Sequence, residues 1–193
     1  MKDYTADIRD YLARLQDMLN KISIDQIDAI AKLLQKAYDE DRTIIVMGNG
    51  GSGSTASHMV CDINKGACFT VEKKFRVISL ADNIATILAL GNDVNFDSIF
   101  VEQLKNHARP GDVVIGISGS GNSRNVLCAI EYAKKIGCTT VGVTGFEGGK
   151  LKPLVDHNFH VAINDMQIVE DVHMILVHIL MRLLMQNKQC ACC

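Results

Sequence analysis

The stretch at residues 43–62 reads TIIVMGNGGSGSTASHMVCD and joins a short apolar run, residues 43–48, to a glycine-rich turn and then to a helical segment. An apolar run of this length, bounded by a turn, is typical of a buried strand in a parallel sheet. Four more such runs follow, separated by helical segments, at residues 75–80, 112–118, 139–144 and 158–163. The pattern predicts an α/β fold with a doubly wound sheet of five parallel strands.

Helices are predicted on both sides of this alternating region. Apolar residues recur every three or four positions over residues 4–22, which indicates an amphipathic helix. Ser23 and Gln26 form a candidate capping box for a second helix that ends at about Tyr38. A last helix is expected over residues 167–185, and it is apolar nearly all round.

The pattern shows no break that would divide the chain, so we expect one domain over residues 1–187. The leading pair of helices, within residues 1–40, and the last helix have more apolar surface than one sheet face needs. We therefore expect a homo-oligomer, the alternative being that these helices only cover a sheet edge. Residues 188–193 are expected to form a flexible tail, or else to bind a soft metal through its cysteines, Cys190, Cys192 and Cys193.

Composition excludes several classes of partner. The net charge is −2, from 22 acidic and 20 basic residues, so no basic surface is expected for nucleic acid or for an anionic membrane. We find no apolar run of transmembrane length and no signal peptide at the N-terminus. The remaining cysteines lack zinc-finger spacing and are expected to be reduced thiols of a cytoplasmic protein; they are Cys61, Cys68, Cys128 and Cys138.

The segment at residues 118–123, SGSGNS, has the chemistry of a phosphate site and lies where a strand ends and a helix begins. Its three serine hydroxyls, its glycines and the helix N-terminus all favour an anion. The loop has no lysine or arginine, so it suits a single phosphate monoester better than a triphosphate with magnesium. The alternative is an ordinary turn, in which serine and glycine are also common.

The opening turn resembles two nucleotide motifs, and both fail. Residues 48–53 satisfy G-x-G-x-x-G, but the expected acidic residue about 20 positions further on is missing, because Asp82 lies about 30 residues beyond Gly53. The P-loop motif requires lysine where the chain has Ser54. We therefore expect no nucleotide cofactor.

Imidazole and carboxylate groups follow on two predicted helices. His58 and Asp62 are four residues apart and so share a helix face, while Glu170 and His178 lie on the last helix. Such groups move protons or bind zinc. Glu170 and His178 are separated by about 12 Å of helix rise, which favours separate acid and base roles over one shared metal. The alternative is that they are polar groups at a helix interface.

Together, these features resemble the sugar isomerase (SIS) domain family and, within it, the phosphoheptose isomerases. The resemblance covers nearly the whole chain. It rests on the two leading helices and on four segments: GNGGS at 48–52 with His58 after it, GND at 91–93, GDVVIGISGSGNSRNV at 111–126 and EDVHMILVH at 170–178.

The resemblance implies a cytoplasmic homotetramer with active sites between subunits, acting on a phosphorylated sugar. The expected reaction converts sedoheptulose 7-phosphate to D-glycero-D-manno-heptose 7-phosphate through an enediol. It would be a step in the biosynthesis of lipopolysaccharide heptose. Asp62 would be the base and His178 the acid. The phosphate would bind Ser118, Ser120 and Ser123, and the expected sugar contacts are Asn49, Gly50, Ser52, Asp82 and Glu170.

In zinc-containing members the ligands correspond to His58, Asp62, Glu170 and His178, so a zinc ion is an expectation too. The family usually has glutamate where this chain has Asp62, and glutamine where it has Glu170. Two alternatives therefore stay open: an isomerase of another sugar phosphate, and a non-catalytic sugar-phosphate sensor or adaptor of the kind that binds a replication initiator.

Overall fold

The computed structural model describes residues 3–69 and 71–189, with side chains up to residue 186 of the last helix. The strands are β1 (Thr43–Gly48), β2 (Arg76–Ser79), β3 (Val113–Ser118), β4 (Thr139–Gly145) and β5 (His157–Val161). The α-helices are α1 (Thr5–Leu19), α2 (Ile24–Asp39), α3 (Gly50–Cys61), α4 (Ile84–Asp93), α5 (Val101–His107), α6 (Arg124–Lys135), α7 (Leu151–Leu154) and α8 (Met166–Gln189). A π-helix (Asp62–Ala67) continues α3, and a 3-10 turn (Phe96–Ser98) follows α4.

All five strands are parallel, in the order β2-β1-β3-β4-β5, which confirms the predicted doubly wound sheet. The chain runs outward from β1 to β2 on one side and then returns to place β3 on the other. In sheets of this order the loops after the first and third strands diverge and leave a crevice between them. The two loops that the sequence singled out, after β1 and after β3, are the loops on either side of that crevice.

Helices cover both faces of the sheet. On one face α1, α2, α3, the π-helix and α8 pack against alternate strand residues such as Ile44 and Val46. On the other face α5, α6 and α7, with part of α4, pack against Ile45 and Met47. Because successive side chains of a strand point to opposite faces and both faces are covered, the residues of β1 after Thr43 are apolar and all five are buried.

The leading helices agree with the predicted pattern, with two differences. The N-cap Ser23 accepts a hydrogen bond from the backbone N–H of Gln26, as expected. The Gln26 side chain instead accepts from the backbone N–H of His160 on β5, so the reciprocal half of the capping box is replaced by a tertiary contact. On α1, the apolar face is only partly covered, and Ile8 and Leu12 are each 57% exposed.

Polar contacts fasten α1 to the start of α8. The Tyr11 hydroxyl donates to the Asp171 carboxylate at 2.6 Å, and this bond raises the pKa of Tyr11 to about 12. Arg14 pairs with Asp165 at 2.7 Å. Asp165 also accepts from the backbone of Ile168, and this bond holds the pKa of Asp165 below its ordinary value. These contacts hold α1 against the start of α8, in addition to the packing of α8 against α2, α3 and the π-helix.

His173 anchors α8 to the sheet. Its side chain is buried, and Nε2 donates to the carbonyl oxygen of Thr144 on β4 at 3.2 Å. Its Nδ1 has no partner among the described residues. Burial, reinforced by the neighbouring His160, lowers the pKa of His173 from 6.5 to about 4.

The cysteines of the described ranges are free thiols, namely Cys61, Cys68, Cys128 and Cys138. Cys61 is exposed and Cys68 is buried. The predicted tail with Cys190, Cys192 and Cys193 lies outside the described residues. None of the described helices has both the length and the apolarity that crossing a membrane requires.

We predict that acid destabilises the fold through His173. Its pKa rises from about 4 to 6.5 on unfolding, so the unfolded chain binds more protons between these values. The free energy of unfolding should therefore fall as the pH is lowered through that window, by up to about 3 kcal/mol from this group. Urea unfolding at a series of pH values and a fixed protein concentration measures this free energy.

In the His173→Gln variant the same pH dependence should be shallower, although His160, whose pKa burial also lowers, contributes in the same direction. The matched control is His107→Gln, because His107 is exposed at the end of α5. An unchanged slope in His173→Gln would contradict the assignment.

Candidate active site

Two pockets lie at the carboxyl end of β1, one on the β3 side and one on the β2 side. A small one, of about 120 Å³, lies over the end of β3. It is lined by the serine-rich loop, by the start of α3 and by the start of α8, with Asn49, Ser52, Ile117, Ser118, Gly119, Ser120, Ser123, Met166 and Glu170. The three serines predicted to bind phosphate are thus brought together in one pocket with Asn49 and Ser52.

The serine loop is held in shape by its own bonds and by the segment after β4. Ser118 Oγ lies 3.0 Å from Ser123 Oγ, which closes the loop on itself. Gly121 has a φ of +65°, a backbone conformation that side chains with a Cβ rarely adopt, and its carbonyl oxygen accepts from Leu151 N–H. The carbonyl oxygen of Gly119 accepts from Gly145 N–H. The loop is therefore fixed before any ligand arrives.

The larger pocket, of about 690 Å³, opens beside the first. The turn after β1 and one face of α3 form one side, and α4 with the following turn forms the other. Its lining comprises Gly48, Asn49, Gly50, Gly53, Ser54, Ser57, His58, Cys61, Ala81, Ile87, Phe96, Ile99 and Phe100. Asn49 lines both pockets, so it marks the place where they meet.

Two imidazoles and one carboxylate gather at the far end of α3. His58 Nε2 lies 3.1 Å from His178 Nε2 and 3.4 Å from Asp62 Oδ2, and His178 Nε2 lies 4.0 Å from the same oxygen. Both histidine side chains are about half exposed, whereas Asp62 is 21% exposed. Asp62 is the first residue of the π-helix, a rare element that often marks functional sites.

This cluster has the chemistry and the spacing of a zinc site. Ligand atoms at about 2.0–2.1 Å from a tetrahedral zinc ion lie about 3.3 Å from one another. Two of the three separations, 3.1 and 3.4 Å, lie near that value, and the third, between His178 Nε2 and Asp62 Oδ2, is 4.0 Å. Two imidazole nitrogens and a carboxylate oxygen are donors that zinc prefers, and three protein ligands leave a fourth position open.

Glu170 does not join the three side chains that lie within one ligand sphere. It lines the small pocket, two turns of α8 away from His178. Its carboxylate occupies the space that a Cβ at Gly51 would need, at the beginning of α3. A helix N-terminus favours a negative charge, so this position suits the carboxylate. The structure thus places the predicted fourth ligand beside the serine loop instead.

Two of the residues predicted to contact the sugar make hydrogen bonds that the sequence did not indicate. Asp82 follows β2 and accepts a hydrogen bond from the Ser57 hydroxyl on α3. The Asn49 amide pairs with the amide of Asn125, the second residue of α6. Asn125 lies within the segment at 111–126 that carries the family resemblance, but nothing in the sequence indicates its contact with Asn49, 76 positions away.

Comparisons with known proteins agree with this architecture. Residues 3–145 match the model of the SIS domain family. The probable phosphoheptose isomerase of Thermoplasma acidophilum is 36% identical over 174 residues, which cover 90% of this chain and 95% of the relative. The phosphoheptose isomerase of Geotalea daltonii is 39% identical over 160 residues, 82% of each chain.

Solved structures give the same result. A phosphoheptose isomerase from Neisseria gonorrhoeae superposes with a TM-score of 0.87 at 26% identity, covering 94% of this chain and 98% of that one. A phosphoheptose isomerase from Francisella tularensis gives a TM-score of 0.88 at 25% identity, covering 96% of this chain and 100% of that one. With its parallel sheet, its serine-lined pocket and its matched sequence, this chain belongs to the SIS domain family and, within it, to the phosphoheptose isomerase group.

Proposed function

We propose that this protein is an aldose–ketose isomerase that converts sedoheptulose 7-phosphate to D-glycero-D-manno-heptose 7-phosphate. The observation that supports it best is the pair of adjoining pockets. One pocket is lined by three serines beneath a helix N-terminus, and the other has His58 in its wall, with Asp62 and His178 beside it. A phosphorylated sugar needs one subsite for each of its two ends.

The phosphate binds in the small pocket in this proposal. Ser118, Ser120 and Ser123 supply hydroxyl donors, and the N-terminus of α6 adds backbone dipoles. Glu170 lines the same pocket, and its negative charge opposes every anion there, a more highly charged one most. This arrangement supports a monophosphate, in keeping with the absence of a nucleotide motif in the sequence.

The reacting end of the sugar extends along α3 towards the cluster. Asp62 removes a proton from C1 of the ketose while His178 donates a proton to O2, which forms the enediol. His178 then takes the proton from O1 and Asp62 returns a proton to C2, which gives the aldose. The 4.0 Å between Asp62 Oδ2 and His178 Nε2 lets both groups face neighbouring atoms of one substrate.

The position of Asp62 supports its role as the base, although the family usually has glutamate there. Asp62 is one methylene shorter, yet its carboxylate lies within 4.0 Å of both imidazoles. Its backbone angles are those of an α-helix, so it continues the line of α3 on the face that carries His58.

A zinc ion is part of the proposal, held by His58, Asp62 and His178. Bound there, zinc would supply Lewis-acid polarisation of a substrate oxygen in place of the proton from His178, whose Nε2 lone pair would be on the metal. Glu170 lies outside this set of ligands in the structure, so we assign it to the phosphate pocket.

We further propose a cytoplasmic homotetramer with sites between subunits. The support is the uncovered apolar face of α1, where Ile8 and Leu12 are 57% exposed, together with exposed apolar residues of α4 next to the large pocket. The free cysteines support a reducing compartment.

The reaction itself provides the first test. Purified protein incubated with sedoheptulose 7-phosphate should give a new anomeric proton signal of an aldose in the NMR spectrum. Asp62→Asn and His178→Ala should each lower turnover by at least about 10²-fold, because each removes one proton-transfer group. Thermal unfolding shows whether both variants keep the fold.

The control is His107→Ala, which removes an exposed imidazole at the end of α5, outside both pockets, and should leave turnover unchanged. Saturable binding without any aldose would indicate the sensor or adaptor, and turnover of another ketose phosphate alone would indicate a different substrate. Full activity in either variant would refute the roles of the two side chains.

Zinc binding should depend on the three clustered side chains and not on Glu170. We expect about one zinc per chain by mass spectrometry after dialysis, loss of that zinc in His58→Ala, and retention in Glu170→Gln. The structural reason is that Glu170 lies at Gly51 and not in the cluster. Zinc loss in Glu170→Gln would show that its side chain moves into the site.

The oligomer should depend on the apolar face of α1. Light scattering should give four times the chain mass of 21.2 kDa for the wild type. Charges introduced by Ile8→Asp with Leu12→Asp should lower this mass, because burying a charge in an apolar contact is costly. Ala6→Asp, on the opposite face of the helix, is the matched control and should leave the mass unchanged.

A further inference from the structure

The side-chain amides of Asn49 and Asn125 form a reciprocal pair. Asn49 Nδ2 donates to Asn125 Oδ1, and Asn125 Nδ2 donates to Asn49 Oδ1, both at 2.9 Å. Asn125 is 2% exposed, on the first turn of α6. The pair therefore joins the turn after β1 to the helix that follows the serine loop, across the crevice of the sheet.

A backbone group determines which way both amides face. Asn125 Oδ1 also accepts from the backbone N–H of Val126 at 2.9 Å. A backbone N–H can only donate, so it requires the oxygen of Asn125, and not its nitrogen, on that side. The Asn49 amide must then direct its nitrogen towards this oxygen. The orientation of Asn49 is thus set by α6.

Asn49 retains the capacity to bind a ligand within this pair. A primary amide has two N–H donors and two acceptor lone pairs, and the pair uses one of each. One N–H and one lone pair of Asn49 remain, and Asn49 lines both the serine pocket and the larger pocket. Asn49 therefore has groups free for a ligand at the place where the two pockets meet.

We propose that Asn125 is a positioning residue that acts on the substrate through Asn49. It fixes the face that Asn49 presents to a sugar hydroxyl and the distance between the phosphate subsite and the reacting end. This inference rests on the sugar-phosphate function proposed above. It assigns Asn125 no contact with the substrate, because its amide is buried behind Asn49.

The test is a double-mutant cycle on the isomerase reaction. Asn125→Ser is too short to reach Asn49, and Asn49→Ala removes the group through which Asn125 acts. Each variant should lower kcat/KM by about 10²-fold, as expected for a misplaced substrate. The double variant should be no more than about threefold worse than either single variant, since both changes remove one interaction.

Inorganic phosphate separates positioning from a merely structural role. If Asn125 acts through Asn49, the inhibition constant of inorganic phosphate should stay within about threefold of wild type in Asn125→Ser, while KM for the sugar phosphate rises. Parallel loss of both affinities would show that Asn125 only maintains the serine loop. That result would overturn the proposal. A double variant whose loss of kcat/KM equals the product of the two single losses would overturn it too.

Two further measurements complete the experiment. Asn106→Ala, on the exposed face of α5, is the control and should match wild type. The side-chain amide signals of Asn49 in a nitrogen–proton NMR spectrum should shift in ligand-free Asn125→Ser, and an unchanged Asn49 signal would overturn the proposal.

Turnover and binding distinguish the two proposals. A wild type that binds sedoheptulose 7-phosphate in calorimetry without turning it over contradicts the isomerase function alone, and the cycle is then measured on dissociation constants. Turnover by the wild type with multiplying variant effects contradicts the positioning role alone. A wild type that neither binds nor turns over the sugar phosphate overturns both.

Discussion

The pairing of β1 with β3 is the constraint on which the site depends. Gly48 at the end of β1 lies opposite Ile117 near the end of β3, so the two strands end at the same edge of the sheet. Because β2 lies on the other side of β1, the chain after β1 and the chain after β3 leave the sheet in opposite directions. A crevice with two loops of different chemistry is the result, and α3 and α6 each begin there.

The second organising element is α8, which closes the site from one face. It carries Glu170 to the serine pocket and His178 to the cluster at the end of α3. Its position is secured by a buried histidine on the sheet and by polar contacts with α1. Contacts far from the crevice therefore help to hold the helix that carries a group proposed to move protons.

Much of the fold follows from sequence pattern. The predicted bounds of β1 match both of its ends, and those of the other strands lie within one or two residues of the ends in the structure. The reason is that buried parallel strands are continuous apolar runs between turn residues. Pattern was less informative at element ends. The π-helix after α3 and the use of Gln26 to bind His160 depend on neighbours distant in sequence, which local periodicity does not report.

For the site, the sequence by itself determined the residue types: a serine-rich loop at a helix start, a glycine turn without the lysine of a P-loop, and imidazoles with carboxylates on two helices. Only the tertiary structure decided which of them meet. It brought His58, Asp62 and His178 within one ligand sphere, placed Glu170 beside the serine loop, and joined Asn49 to Asn125. Composition and spacing fix chemistry and local conformation, whereas distances between groups on different elements are set by packing across the whole sheet.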